Sequence, residues 1–338
     1  MKLKNSDLLL ALEKASSADG VLITPKDDKI ILSSDNGITN IKVSVPASEL
    51  FDAPIFVSHK ALYSVCRASG GEDVELTLNG TTLKIVINKL KATIQLLELE
   101  DKSEPEIVWL SSTAIDGINL LDALRETAFA TSKSNNQPAL QGVVIDNDSV
   151  YATDSFRVAF TKITDGNIKV NLPIEAITLI NKLVVGNKQV NLKLCNTHAL
   201  IYQDNFILRT RLIGDKYPDM KSLISKFIMT NEIEVNREAF LGLVKKMKIV
   251  DSDNYIINFS NDIIHVKSLR TELGTVEDEI TNVNGCEYET ALSTQYTIDA
   301  LNACKSKSVI IRLHGAKSPV GIVDEDQLHI IMPVSYNR

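Results

Sequence analysis

The stretch LPIEAITLINKLVVGNKQVNLKLCNTHALIYQD, residues 172–204, carries a pattern from which the rest of the chain can be read. Pro173 suits a first helical turn, and Ile177, Ile180 and Val184 fall on one helical face. Val190, Leu192 and Leu194 then alternate as a half-buried strand does. The same order occurs twice more. SHKALYSVCRAS from Ser58, with Leu62, Val65 and Cys66 on one face, precedes VELTL at Val74, Leu76 and Leu78. STQYTIDALNAC from Ser293 precedes VIIRL at Val309, Ile311 and Leu313. The strands are offset by 116 and 119 residues, and a helix–strand order kept three times at near-equal spacing marks a triplication. Each copy continues with two more strand-like runs: TLKIVIN and ATIQLLEL, ALIYQD and FILRTRLI, PVGIVD and LHIIMPV. Ser58 and Thr294 are expected as N-caps.

Working outward, each copy also opens with a helix. The first is NSDLLLALEKASS from Asn5. The second is STAIDGINLLDALRETAFATS from Ser112, with Thr113 and Asp116 at capping-box spacing. The third is NREAFLGLVKKMKIV from Asn236, with Phe240, Leu243, Val244 and Met247 on one face. Polar joints at DKSEPE near Glu104 and LISKFIMTN near Lys226 divide the chain into domains 1–106, 107–228 and 229–338. The expected fold is α+β: three repeated domains, each with two helices packed on antiparallel sheet of roughly eight strands. Side by side they would make one extended sheet with six helices on one side. A solenoid fits less well, because its repeats are usually about 20–45 residues long.

Composition bounds the function. Of 338 residues 44% are apolar and 23% charged, ordinary values for a folded chain, and the net charge is −7. Aromatic residues are only 5%, too few for a surface that reads single strands by stacking. No apolar run approaches the roughly 20 residues that cross a bilayer. The N-terminal apolar stretch is interrupted by Glu13 and Lys14, as in an amphipathic helix and unlike a signal peptide. Cys66, Cys195, Cys286 and Cys304 form no C-x-x-C pair, which suggests free thiols in a cytoplasmic protein. No two of His59, His198, His265, His314 and His329 stand three or four residues apart. Neither a phosphate-binding glycine loop nor a nucleophile elbow is present, so no enzyme, metal or cofactor is expected. Asp154-Ser155 reads as a turn, and Asp324, Glu325 and Asp326 as a hairpin turn.

The charge is unevenly placed. The six helical segments together carry +4 and the rest of the chain −11. One reading is solvated helix faces in which lysine is simply a good helix former. The other is a surface that attracts a polyanion through its phosphates, without reading bases. The DNA-binding candidates on the second reading are Lys14, Arg67, Arg125, Lys133, Lys182, Arg237, Lys245, Lys246 and Lys305. Only some of them are expected to face the DNA.

QPALQGVVIDNDSVYATDSFRVAF, residues 137–160, resembles the middle-domain signature of bacterial-type sliding clamps, the beta subunit of DNA polymerase III. In that family an apolar-Gly-apolar strand leads by a hairpin into a strand ending A-T-D-G-H-R-L-A. RTRLIGDKYPDM, residues 209–220, resembles the family's L-I-x-G-x-[FY]-P-D-Y, and LHIIMPV, residues 328–334, its C-terminal Y-x-[VIL]-M-P-[MVL]. Ser155-Phe156 replaces the usual Gly-His, residues Val334 to Arg338 run on past Pro333, and a P-I-L segment is missing after the first helix. Such departures fit a divergent, phage-encoded clamp.

The resemblance implies two subunits joined head to tail into a ring of six domains, with helices around double-stranded DNA. It implies a processivity factor without chemistry of its own, serving a replicative DNA polymerase and a clamp loader. Partner peptides would enter a pocket walled by Leu140, Thr153, Phe156, Arg157, Val158, Pro218, Leu223, Tyr296, Pro319, Ile330, Met332, Pro333 and Val334. Arg157 and Tyr296 would supply its polar edges, while Val158, Ile330 and Met332 have a competing reading as plain core. Ile249, Val250 and Ile94 would form the homodimer joint, with burial inside the domain as the alternative for the first two. QLLEL at Gln95–Leu99 looks like a partner peptide but lies in an expected strand. The alternative functions are a non-ring peptide-binding scaffold and a nuclease with dispersed carboxylates.

Overall fold

The computed structural model describes all residues except 71, 100–105, 135, 165–166, 228–229, 261, 282–286, 316, 337 and 338. The first repeat runs β1 (Lys2–Lys4), α1 (Asn5–Lys14), β2 (Gly20–Lys26), β3 (Lys29–Asp35) and β4 (Thr39–Pro46). The same strand–helix–three-strand order then recurs as β5 (Ile55–Ser58), α2 (His59–Ala68), β6 (Asp73–Asn79), β7 (Thr82–Ile87) and β8 (Leu90–Gln95). The second repeat is β9 (Ser111–Asp116), α3 (Gly117–Thr127), β10 (Gly142–Asp146), β11 (Ser149–Thr153) and β12 (Arg157–Lys162). It continues as β13 (Lys169–Pro173), α4 (Ile174–Leu183), β14 (Gln189–Leu194), β15 (His198–Gln203) and β16 (Phe206–Arg211). A short helix, α5 (Met220–Ser225), follows. The third repeat is β17 (Asn231–Asn236), α6 (Arg237–Lys245), β18 (Asn254–Ser260), β19 (Ile263–Ser268) and β20 (Glu277–Thr281). Its second half is β21 (Tyr288–Ser293), α7 (Thr294–Ala303), β22 (Ser308–Leu313), β23 (Val320–Asp324) and β24 (Gln327–Ile331).

Eight strands and two helices per repeat agree with the sequence reading; one extended sheet does not. The strands form four antiparallel sheets, ordered β1-β6-β7-β8, β5-β2-β3-β4-β16-β15-β14-β9, β13-β10-β11-β12-β24-β23-β22-β17 and β20-β19-β18-β21. The short strand before each repeat helix causes the division. It pairs with the hairpin of the other half of its own repeat, as β1 does with β6 and β5 with β2, and so ends a sheet there. Each repeat therefore contributes to two sheets. The repeats are stitched by β4 against β16, from Thr39↔Thr210 to Val43↔Phe206, and by β12 against β24, from Arg157↔Ile331 to Phe160↔Leu328. Strands β8 and β20 stay at sheet edges. The chain resolves into two compact units, residues 1–121 with 175–212 and residues 122–174 with 213–338, and each sheet lies within one unit.

Alternation fills the cores. In β2, β3 and β4 the inward residues Val21, Ile23, Ile30, Leu32, Ile41 and Val43 are fully buried, as are Leu8 and Leu12 of α1. In the third repeat Phe240, Leu243, Val244 and Met247 pack as expected, in a cluster with Tyr255, Ile257, Phe259 and Leu301. Each such side chain contributes about 1.5–3 kcal/mol. Ser58 caps α2 by accepting from the Ala61 N–H at 3.4 Å, but Ser293, not Thr294, caps α7, accepting from the Tyr296 N–H at 3.4 Å. Thr113 caps nothing, because it lies in β9. That strand stays paired with β14 as far as Asp116↔Gln189, so α3 starts only at Gly117. Asp116 accepts from the N–H groups of Ile118 and Asn119 at 3.0 and 3.2 Å. A Cβ at residue 117 would lie 2.6 Å from the Lys188 carbonyl oxygen, which accounts for the glycine.

The second joint is not merely polar: it holds α5, capped by Asp219, which accepts from the Ser222 N–H at 3.0 Å. The expected boundary at 228/229 and most of DKSEPE lie outside the described residues. Cys66 and Cys304 are buried free thiols whose pKa burial pushes up to about 12; Cys286 lies outside the described residues. Among the described residues no helix is long and apolar enough to cross a membrane.

Candidate functional site

The turn between β11 and β12 organises the site. Asp154 Oδ1 accepts from the N–H groups of Phe156 and Arg157 at 3.0 and 3.1 Å. The Thr153 hydroxyl accepts from the Ser155 N–H at 3.1 Å and donates to the Arg157 carbonyl at 2.6 Å. Ser155 takes a φ of 80°, in the left-handed region that favours short polar residues and glycine. Asp154-Ser155 is thus a turn, as the sequence suggested. It sends Phe156 outward, 63% exposed, and turns Arg157 inward, with only 8% of that residue exposed.

Arg157 is fully engaged within the protein. Its Nε donates to Asp154 Oδ2 at 3.0 Å, Nη1 to Asp299 Oδ2 at 2.6 Å and Nη2 to the Phe129 carbonyl at 2.6 Å. The guanidinium lies over the Tyr296 ring at 4.2 Å and the Phe129 ring at 5.4 Å. Arg157 and Tyr296 are the residues expected to supply the polar edges of the pocket, and here the donors of the guanidinium are met within the chain. They form a tie between the turn, α7 and the segment after α3.

Beside this tie lies a cleft of about 270 Å³. Of the residues named from the sequence, Thr153, Arg157, Val158, Ile330, Met332, Leu140, Pro218 and Leu223 line it, together with Ser155, Met220 and Phe227, which the sequence reading did not name. Helical spacing could have found the last two, since Met220, Leu223, Ile224 and Phe227 follow the i, i+3, i+4, i+7 pattern. The joint is held on the sheet by Tyr217, whose hydroxyl accepts from the Thr153 N–H at 3.0 Å and whose ring lies 5.6 Å from that of Tyr151. Burial raises the pKa of the Tyr217 phenol. Val158 and Ile330 belong to a buried cluster with Val144, Tyr151 and Met220, so they are core residues that also floor the cleft.

Phe156, Tyr296, Pro319, Pro333 and Val334 do not line the cleft. Phe156 points to solvent and Pro319 precedes β23. Past β24, the Met332 N–H donates to the Phe156 carbonyl at 2.9 Å and the Val334 N–H to the Ala291 carbonyl at 2.8 Å. Pro333 sits between these two anchors.

Of the basic candidates, Arg67, Lys133, Lys182 and Lys245 are exposed. Lys14 is half-buried at the end of α1, and burial lowers its pKa. Arg125 lies 3.9 Å from Asp122, and Lys246 pairs with Asp278. Two further candidates have partners within the chain. Arg237 donates to the carbonyls of Ser306 and Leu301 at 2.9 and 3.2 Å and pairs with Glu238. Lys305 reaches Asp122 and Glu126 at 2.7 and 2.8 Å. The Arg237 side chain is largely covered, whereas that of Lys305 is still more than half exposed. At the expected dimer joint, Ile249 is 68% exposed and Ile94 half-buried on β8, but Val250 is only 7% exposed and belongs to the core.

Three copies of a doubled strand–helix–three-strand unit, stitched by sheet pairing and carrying an apolar cleft at a stitch, define a clamp-type assembly and binding protein. Comparison with known proteins agrees. Residues 114–219 match the central domain of the DNA polymerase III beta subunit and residues 228–335 its C-terminal domain. The beta sliding clamp of Bacillus subtilis is 26% identical over 97% of this chain and 92% of its own length. That of Staphylococcus aureus is 22% identical over 93% and 91%. Among solved structures, the DNA polymerase III subunit beta of Bartonella birtlesii bound to griselimycin superposes with a TM-score of 0.92 at 18% identity, covering 99% of both chains. The Helicobacter pylori beta clamp bound to a DNA ligase peptide gives 0.87 at 18% identity, covering 99% of this chain and 100% of that one. The chain belongs to the DNA polymerase III beta subunit family, the beta sliding clamps, which are non-enzymatic processivity factors.

Proposed function

We propose that two copies of this chain close head to tail into a ring around double-stranded DNA in the cytoplasm. There it would tether a replicative polymerase and receive a clamp loader through the cleft. The divergence from cellular clamps fits a phage-encoded copy. The observation that carries the reading is the pair of open sheet edges. Strand β16 pairs with β4 and β24 with β12, while among the described residues their counterparts β8 and β20 have no such partner. Pairing β8 of one copy with β20 of the next repeats the internal stitch, and such a heterologous contact closes after two copies. Charge supports the match: Lys89 and Lys91 lie at β8, and Glu277, Asp278 and Glu279 open β20.

Ile249→Asp, made without touching the buried Val250, is expected to give a folded monomer in sedimentation or native mass measurements. A dimer of unchanged affinity would remove Ile249 from the joint. The functional test is retention on nicked circular DNA with release after linearisation. Retention should fall steeply with salt, ignore sequence and weaken in a Lys182→Glu, Lys245→Glu double variant. A monomeric scaffold or a nuclease predicts no dependence on topology.

For the cleft, a fluorescent Q-L-x-L-F-type peptide should bind, its Leu and Phe filling the space among Met332, Leu223 and Phe227. Met332→Ala should weaken it by about 1–3 kcal/mol, because Met332 is the adaptable, part-exposed wall. Equal affinity for wild type and variant would move the peptide elsewhere.

A further inference from the structure

Strand β24 ends at Ile331, so the cleft residue Met332 stands just beyond the ladder, 38% exposed. Its position therefore depends on the path of the residues after it. That path is tied at alternate residues. The Met332 N–H donates to the Phe156 carbonyl at 2.9 Å, and the Val334 N–H to the Ala291 carbonyl at 2.8 Å. The Tyr336 hydroxyl then donates to Glu289 Oε1 at 2.7 Å. A step from 334 to 336 is thus a step back from 291 to 289 along β21, the geometry of an antiparallel pair. Strand β21 ends its sheet, with β18 on its other side. The segment after β24 therefore leaves the sheet of the cleft and lies along this edge.

These ties differ in strength. The Met332 bond fixes where the segment starts but not where it goes. Pro333 has no N–H to give, and Ser335 is exposed. The Val334 bond is a neutral amide–carbonyl contact, whose net contribution is smaller than the conformational entropy of holding the residues around it. Tyr336 supplies the stronger contact, a phenol O–H donating to a carboxylate, and its side chain is half-buried. The acceptor is itself steadied from within the sheet. Asn258, directly opposite Glu289 in the β18–β21 ladder, donates from Nδ2 to Glu289 Oε2 at 3.3 Å. Glu289 thus offers its other oxygen to Tyr336.

We infer that Tyr336 is a positioning residue for the cleft: its bond to Glu289 lays the segment after β24 along β21 and so holds the Met332 side chain in the cleft wall. The inference rests on reading the cleft as a peptide site. Tyr336 does not line the cleft, so it acts through Met332, four residues earlier, and not on the ligand. The residues that run on past Pro333 thus serve the cleft without entering it.

The test uses the full chain, labelled with carbon-13 at the methionine methyl groups, and the fluorescent Q-L-x-L-F-type peptide. Tyr336→Phe removes one oxygen and keeps the ring, so the urea midpoint should match that of the wild type. The Met332 methyl resonance, assigned through Met332→Ala, should shift or broaden in Tyr336→Phe, while that of the fully buried Met247 stays in place. Peptide affinity should fall at least about threefold in Tyr336→Phe and in Glu289→Leu. Glu289→Gln keeps an acceptor oxygen and should recover most of the loss. In a Met332→Ala background, Tyr336→Phe should weaken the peptide no further. An unmoved Met332 methyl would overturn the proposal, as would an equal loss of affinity in the Met332→Ala background. Tighter binding in Tyr336→Phe would also overturn it, by making the segment a lid. If the wild type binds no peptide, the cleft reading falls and the methyl signal alone decides: a shift confined to Met332 supports the tie, and no shift overturns it.

Discussion

Replacing Arg157 by methionine should destabilise the chain by about 3–5 kcal/mol, seen as a lower urea midpoint at unchanged slope. The side chain is buried and its charge is met by Asp154 at 3.0 Å and Asp299 at 2.6 Å, whose own side chains are only 13% and 23% exposed. Removing the cation leaves two carboxylates facing each other in a largely dry site and orphans the Phe129 carbonyl. Methionine fills much of the volume, so packing loss should be the smaller part. Arg157→Lys should recover little, because one ammonium on a flexible stem cannot make three divergent bonds and lie over two rings. The loss should reach the cleft too. Thr153 donates to the Arg157 carbonyl and Asp154 holds the Phe156 and Arg157 amides, so a loosened Arg157 frees the turn that forms one wall. A variant as stable as wild type would show that the tie is ornamental.

Local periodicity made the triplication and the repeat helices legible, because each helix and the strand after it bury a face whose spacing survives divergence. The division into four sheets was not legible. It depends on short strands such as Lys2–Lys4, which carries one inward residue, Leu3, and pairs with a strand about 70 residues away. The cleft was read in part. Its walls in β12 and β24 sit in recognisable strands, whereas Met220 and Phe227 lie in a stretch whose lysines and serines hide a helical stripe. Arg157 was recognised, but its pairing with Asp299 was not, because Asp299 lies 142 residues further along the chain. Ile249 and Val250 look alike as residue types, and only the short helical turn that carries them puts one out and the other in.

The second large effect should appear on acidification. His329 in β24 is 1% exposed and sits opposite Ala159 across the β12–β24 stitch, one residue before Ile330 in the cleft floor. Its Nε2 lies 3.2 Å from Gln327 Oε1 and its ring 5.5 Å from that of Phe129, while Nδ1 has no hydrogen-bond partner among the described residues. Burial lowers its pKa to about 4 from an ordinary 6.5, and the nearby Asp324 offsets this only in part. Above pH ~6.5 the histidine is neutral in both folded and unfolded chains and costs nothing. Between ~6.5 and ~4 the unfolded chain takes up the proton and the folded chain does not, so stability falls as pH falls through that window, by about 3 kcal/mol in all. Carboxylates elsewhere add their own acid dependence, so the quantity to measure is a difference. Urea unfolding of wild type and His329→Leu, compared from pH 7.5 to 4, should show the wild type losing stability faster by that amount. Leucine keeps the site apolar and roughly filled, whereas glutamine would bring a new polar group. Parallel curves would mean that the buried imidazole accepts its proton in the folded chain at little cost. Converging loss in wild type alone would mark the stitch beside the cleft as the first part of the sheet to yield in acid.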